Sequence, residues 1–142
     1  ETYKKYFNSL VNDGHEPEII KGARESLIKL NEERKRLLVL SSHPAANLRQ
    51  EMQRYGVDDL FEHLIGGVVD KISGLIGICN GLGVEGRNVL YWGDTVYDVI
   101  AAKEAGVCSG VVASKYAYHT RERLDAVNPD FVLDDISWMV GI

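Results

Sequence analysis

The chain has 142 residues, 45% of them hydrophobic and 26% charged, and a formal net charge of −5. That length fits one compact domain, and the composition is that of an ordinary globular protein. No apolar stretch is long enough to span a membrane, and the acidic balance argues against a nucleic-acid partner, which calls for a basic face to displace counterions.

Tyr3, Tyr6, Phe7, Leu10 and Val11 recur at helical spacing, and Asn12, Asp13 and Gly14 end that segment with turn chemistry. Ala23, Leu27 and Leu30 mark a second amphipathic helix that runs into the solvated cluster NEERKR. The run LLVL (37–40) is short, flanked by polar residues and without alternation, which predicts a buried strand. A helix on Leu48, Met52 and Tyr55 follows and stops at Gly56. HLIGG (63–67) predicts a strand, and Leu75, Ile76, Cys79 and Leu82 predict a helix ending near Gly83. NVLYW (88–92) carries the clearest strand signal, and a helix from Val96 to Ala105 follows it, with Gly106 as its C-terminal stop. SGVVA, a charged helix around TRERLDAV, and FVL after Asn128 and Pro129 complete the series. Strand and helix alternating in this way predict an α/β fold with a parallel sheet covered by helices on both faces. Cys79 and Cys108 stand far apart in no C-x-x-C spacing and read as buried thiols, which points to a reducing, cytoplasmic setting.

Ligands of such sheets bind at the carboxyl ends of the strands. There LLVL delivers Ser41 and Ser42, with His43 beside them, and NVLYW delivers Gly93 and Asp94. The loop after HLIGG carries Lys71, so a hydroxyl, an ammonium and a carboxylate are expected to converge on one rim. Asp98 follows Asp94 by four positions, where a helix begins. Each of these residues also has a simpler reading. Thr95 and Asp98 form a T-x-x-D capping-box pattern, and Ser41 could cap the helix that starts after Pro44. Lys71 taken alone is a solvated surface lysine, and His43 a loop residue. His15, His63 and His119 have no metal-ligand spacing and read as structural or exposed.

Taken together, in this order, these segments resemble the haloacid dehalogenase superfamily, most closely its phosphoglycolate-phosphatase-like branch. LLVLS matches the family's second motif through Ser41, Lys71 in GGVVDKISGL matches the third, and LYWGDTVYD matches the fourth, an apolar strand followed by G-D-x-x-x-D. Trp92 departs from the small aliphatic residue usual before that G-D. The resemblance implies a three-layer Rossmann-like core over residues 16–142, and it likens residues 1–15 to the end of an inserted helical cap. It further implies a Mg2+-dependent phosphatase of a small phosphorylated metabolite, working through an aspartyl-phosphate. In that scheme Asp94 and Asp98 serve the metal, Lys71 neutralises the phosphate and the nucleophile, and Ser41 donates a hydrogen bond to a phosphoryl oxygen. Ser42 and His43 would contact substrate. An acid at Asp94 suits a metal-dependent phosphatase rather than the metal-free dehalogenases.

One family motif has no counterpart. The nucleophile-bearing D-x-D after an apolar strand does not occur in the sequence. In the family that strand lies between those matching LLVL and NVLYW, so the central nucleophile strand is expected to be missing and two strand edges to be left unpaired. With Glu1 in place of a methionine, this suggests the C-terminal part of a longer protein, inactive alone, that takes its aspartate from an upstream segment or another chain. Unpaired edges also favour self-association. The competing reading is a relative without a nucleophile that acts as a binding or regulatory protein.

Overall fold

The computed structural model describes residues 19–115 and 117–140. The helix expected over residues 3–11, the turn at 12–14 and His15 lie outside them. Helix α1 (Ala23–Glu32) leads to strand β1 (Leu38–Leu40), helix α2 (Ala45–Arg54), strand β2 (His63–Ile65) and helix α3 (Lys71–Leu82). Strand β3 (Leu90–Gly93), helix α4 (Val96–Ala105), strand β4 (Cys108–Val112), helix α5 (Arg121–Asp125) and strand β5 (Phe131–Leu133) follow. Every strand pairing is parallel, as expected when helices carry the chain back between successive strands. The result is the α/β arrangement read from the sequence.

The strands form two sheets, β1-β2 and β3-β4-β5. Backbone alternation shows what lies between them. Ser41 N–H donates to Ile65 O and Leu37 O accepts from Glu62 N–H, so odd-numbered positions of β1 face β2 and the backbone groups of Leu38 and Leu40 face the other way. On β3, Val89 O accepts from Cys108 N–H, which turns the backbone groups of Leu90 and Trp92 away from β4. Among the described residues no strand pairs with either of these edges, and the break falls where the family likeness leaves out a strand. Tyr91 Oη, 3.4 Å from Leu40 O, reaches across it.

Helices hold the two halves together. Leu40 of β1, Leu75 of α3, and Ala101 and Ala102 of α4 are buried in one cluster with Val107. Small residues at 101 and 102 let α3 lie close to α4, so removing this apolar surface from water bridges the break in the sheet. A second cluster joins Val99 of α4, Val111 of β4 and Leu124 of α5. On the opposite face of the three-stranded sheet, Trp92 is registered against Gly110 and lies 6.4 Å from the ring of Phe131. A Cβ at position 110 would stand 2.6 Å from the Trp92 ring, so the large residue at 92 is accommodated by the absence of a side chain on the neighbouring strand. Cys79 and Cys108 are both free thiols, half-buried rather than fully enclosed. Among the described residues no helix is long and apolar enough to cross a membrane.

Candidate active site

Ser41 follows the last residue of β1 and is held by backbone bonds on both sides, donating to Ile65 O at 2.9 Å and accepting from Val68 N–H at 3.0 Å. Its Oγ accepts from His43 N–H at 3.1 Å rather than capping α2, whose N-cap position is Pro44 and has no side-chain cap. Gly67 N–H donates to His43 O, which with the Val68 bond ties the loop after β2 to the loop after β1. That stitching brings the start of α3 beside Ser41.

Lys71 is not in a loop, as the sequence suggested, but is the first residue of α3. Asp70 caps the helix by accepting from Ile72 N–H and Ser73 N–H, a signal that the apolar periodicity passes over. A lysine at a helix N-terminus is unfavourable against the helix dipole. Here Asp98 compensates, with its Oδ1 2.5 Å from Lys71 Nζ. Burial works against the Lys71 ammonium, but the hydrogen bond and charge of Asp98, aided by Tyr91, outweigh it and raise its pKa above the usual lysine value. Burial is also the largest influence on the Tyr91 phenol and, with the Asp98 charge, raises its pKa against the opposing pull of Lys71.

Asp98 is 5% exposed, and its other oxygen is equally committed. Oδ2 accepts from Asp94 N–H at 3.3 Å, Thr95 N–H at 3.2 Å and Thr95 Oγ1 at 2.8 Å, while Thr95 Oγ1 in return accepts from Asp98 N–H. The capping box therefore forms, and the same carboxylate also holds Lys71; the simple reading and the functional one describe a single group. Gly93 is required by this arrangement, because a Cβ there would come within 2.5 Å of Asp98 Cγ.

Asp94 stands at the carboxyl end of β3, half-buried, with Oδ2 accepting from Tyr118 N–H at 3.0 Å. His119 N–H donates to Asp94 O at 3.3 Å, and His119 Nδ1 accepts from Val96 N–H at 2.9 Å. Tyr91 and Tyr118 were not singled out in the sequence, and His119 was read there only as structural or exposed. The last two act on Asp94 and Val96 through bonds spanning more than twenty residues, most of them to the backbone, which no local pattern reveals. Ser42 is exposed, whereas His43 is buried with Nε2 3.4 Å from Glu51 Oε2 of α2.

Ser41, Lys71, Asp94 and Asp98 thus sit on connected elements at one rim. The ammonium has N–H groups to spare beyond the one Asp98 accepts. Among the described residues no donor is directed at Asp94 Oδ1. Among the described residues no three acidic, histidine or cysteine side chains gather there. That donor set suits Mg2+, which takes one or two carboxylates and fills its octahedron with waters and phosphate oxygens.

The haloacid dehalogenase-like hydrolase family model matches residues 1–124. A phosphoglycolate phosphatase of Haemophilus influenzae is 32% identical over 124 residues, covering 84% of this chain and 54% of that protein. One from Pasteurella multocida is 31% identical over 111 residues, 75% of this chain and 49% of that protein. The crystal structure of a predicted phosphoglycolate phosphatase from Haemophilus somnus superposes with a TM-score of 0.77 over 87% of this chain and 56% of that one, at 23% identity, which speaks for the fold alone. The chain spans about half the length of the curated relatives it matches.

Proposed function

The chain belongs to the haloacid dehalogenase-like hydrolase family, and on that premise we propose that it forms part of a Mg2+-dependent phosphatase acting on a small phosphorylated metabolite. The observation that carries this reading is the shared anchor of two opposite charges. Asp98 grips Lys71 with one oxygen and the Asp94 and Thr95 amides with the other, so the ammonium and the turn that carries the Asp94 carboxylate share one anchor. Phosphoryl transfer needs such positioned charge more than it needs covalent chemistry from the protein.

In this reading the phosphoryl group passes from the ester oxygen to an aspartate, releasing the alcohol, and water then cleaves the acyl phosphate to inorganic phosphate and regenerates the carboxylate. The aspartate comes from a strand outside these 142 residues, seated between β1 and β3, where the backbone groups of Leu38, Leu40, Leu90 and Trp92 offer hydrogen bonds to a parallel neighbour. Lys71 neutralises the phosphoryl oxygens and the aspartate. The Ser41 hydroxyl, whose oxygen already accepts from His43 N–H, keeps its proton to donate to a phosphoryl oxygen. Asp94 Oδ1 would hold Mg2+, which supplies charge neutralisation at the phosphate. Asp98 acts by orienting Lys71 and Asp94. The joint presence of these residues favours an enzyme over a non-catalytic binding protein, which would need neither a poised ammonium nor an open carboxylate oxygen.

The test is phosphate release from a panel of small phosphate esters by the protein as isolated from its source, in Mg2+ and in excess EDTA. The reading expects turnover that EDTA abolishes and Mg2+ restores. Ester binding with no turnover in Mg2+ would favour the non-catalytic role.

A further inference from the structure

Residues 118 and 119, which precede α5, bond to the Asp94 turn at three points. Tyr118 N–H engages one oxygen of the Asp94 carboxylate, His119 N–H holds its carbonyl, and the His119 ring accepts the Val96 N–H two residues on. A backbone N–H can only donate, so Nδ1 carries a lone pair and the ring proton sits on Nε2. The ring is 6% exposed and packs between the rings of Tyr118, at 4.9 Å, and Tyr97, at 5.9 Å. Tyr97 and Tyr118 are themselves mostly exposed. A strap that follows β4 thus holds the Asp94 turn through residues 118 and 119, while Asp98 holds the same turn through the Asp94 and Thr95 amides.

We propose that His119 is a positioning residue for Asp94, and that through it the Tyr118 amide keeps one carboxylate oxygen occupied so that the other is presented singly to a divalent cation. The proposal deepens the reading of Asp94 as a metal ligand and rests on it. Its physical basis is the Val96 N–H, a helix-start amide with no intrahelical acceptor, which the His119 ring satisfies. Without the imidazole acceptor, that half-buried amide at the start of α4 loses its partner, the His119 ring no longer holds the turn, and Oδ2 is released from Tyr118. Groups that orient a ligating carboxylate commonly affect metal affinity by about 10- to 100-fold when removed.

Two substitutions separate positioning from bulk. His119→Phe keeps an aromatic ring between Tyr97 and Tyr118 but has no acceptor, whereas His119→Asn loses the ring and places its amide oxygen near the position of Nδ1. Mn2+ binding to the protein as isolated from its source, followed by the electron paramagnetic resonance signal of free Mn2+, reads the effect without turnover. Amide hydrogen exchange at Val96 reads the hydrogen bond itself. The expected result is binding weakened about tenfold in His119→Phe and restored to within about threefold in His119→Asn, with Val96 exchange fast in the first and slow in the second. Wild-type binding in His119→Phe, with binding lost in Asp94→Asn, overturns the proposal and leaves the metal-ligand reading standing. A His119→Asn variant as weak as His119→Phe also overturns it, because an acceptor at the position of Nδ1 then does not suffice to hold the turn. Failure of the wild-type protein to bind Mn2+ overturns both.

Discussion

Lys71 and Asp98, 27 positions apart in the sequence, meet at 2.5 Å and so join the start of α3 to the start of α4. The pair is mostly shielded, with side-chain exposures of 28% and 6%. Breaking such a pair from one side leaves a charge without its partner, and here it also empties the capping box of α4. Asp98→Ala is expected to destabilise the fold by about 3 kcal/mol, read as a lower urea midpoint. Asp98→Asn keeps an oxygen for the Asp94 and Thr95 amides but turns an NH2 group toward Lys71. It should recover part of the stability and none of the ordering of Lys71. Equal stability of Asp98→Ala and the wild type would show that the pair is solvated.

The raised pKa values of Lys71 and Tyr91 give the stability a defined pH dependence. A group whose folded-state pKa lies above its unfolded value contributes stability in full below the unfolded value, about 10.4 for lysine and about 10 for tyrosine, and loses it as pH rises through the folded value. The wild-type urea midpoint should therefore fall with alkaline pH beyond about 10 more steeply than those of Tyr91→Phe and Lys71→Met. Parallel slopes in all three proteins would contradict the assignment.

At Gly93 the expected cost is steric. A Cβ there meets the Asp98 side chain, which is fixed by four donors besides Lys71 and cannot retreat without releasing them. Gly93→Ala should cost about 1–3 kcal/mol and lower phosphatase turnover as well, because the displaced carboxylate also positions Lys71. Full activity in that variant would mean that Asp98 has room to move.

Away from the rim, Asp130 Oδ2 accepts from the buried Ser109 N–H at 2.8 Å and from Ser109 Oγ, which itself accepts from Asp130 N–H, locking β4 to the approach of β5. Asp130→Ala leaves that amide unsatisfied and should cost about 1–3 kcal/mol without altering the metal dependence of turnover. A calorimetric melt with Mg2+ titrations of activity distinguishes the two effects.

Much of the architecture was legible because the strands are short apolar runs between polar residues, a pattern that buried parallel strands impose. LLVL and NVLYW became β1 and β3 with shifts of one or two residues. The break in the sheet was legible too, because the unmatched first motif of the family belongs to a strand that lies between those matching LLVL and NVLYW. What escaped was set by polar chemistry rather than by periodicity. Asp70 starts α3 earlier than its apolar residues imply, which moves Lys71 from a loop onto a helix. Asp98 showed two competing uses in the sequence and has both, since a carboxylate has two oxygens and each found different donors. His119 looked unremarkable because its partner is a backbone amide 23 residues away.

The central claim is that Asp94 and Lys71 act together on a phosphate ester. Its most direct test is the Mg2+-dependent turnover number of the protein as isolated from its source, measured for wild type, Asp94→Asn and Lys71→Met, with circular dichroism confirming that each is folded. The account predicts a loss of about 100-fold or more in each folded variant. Wild-type turnover in either one would contradict it.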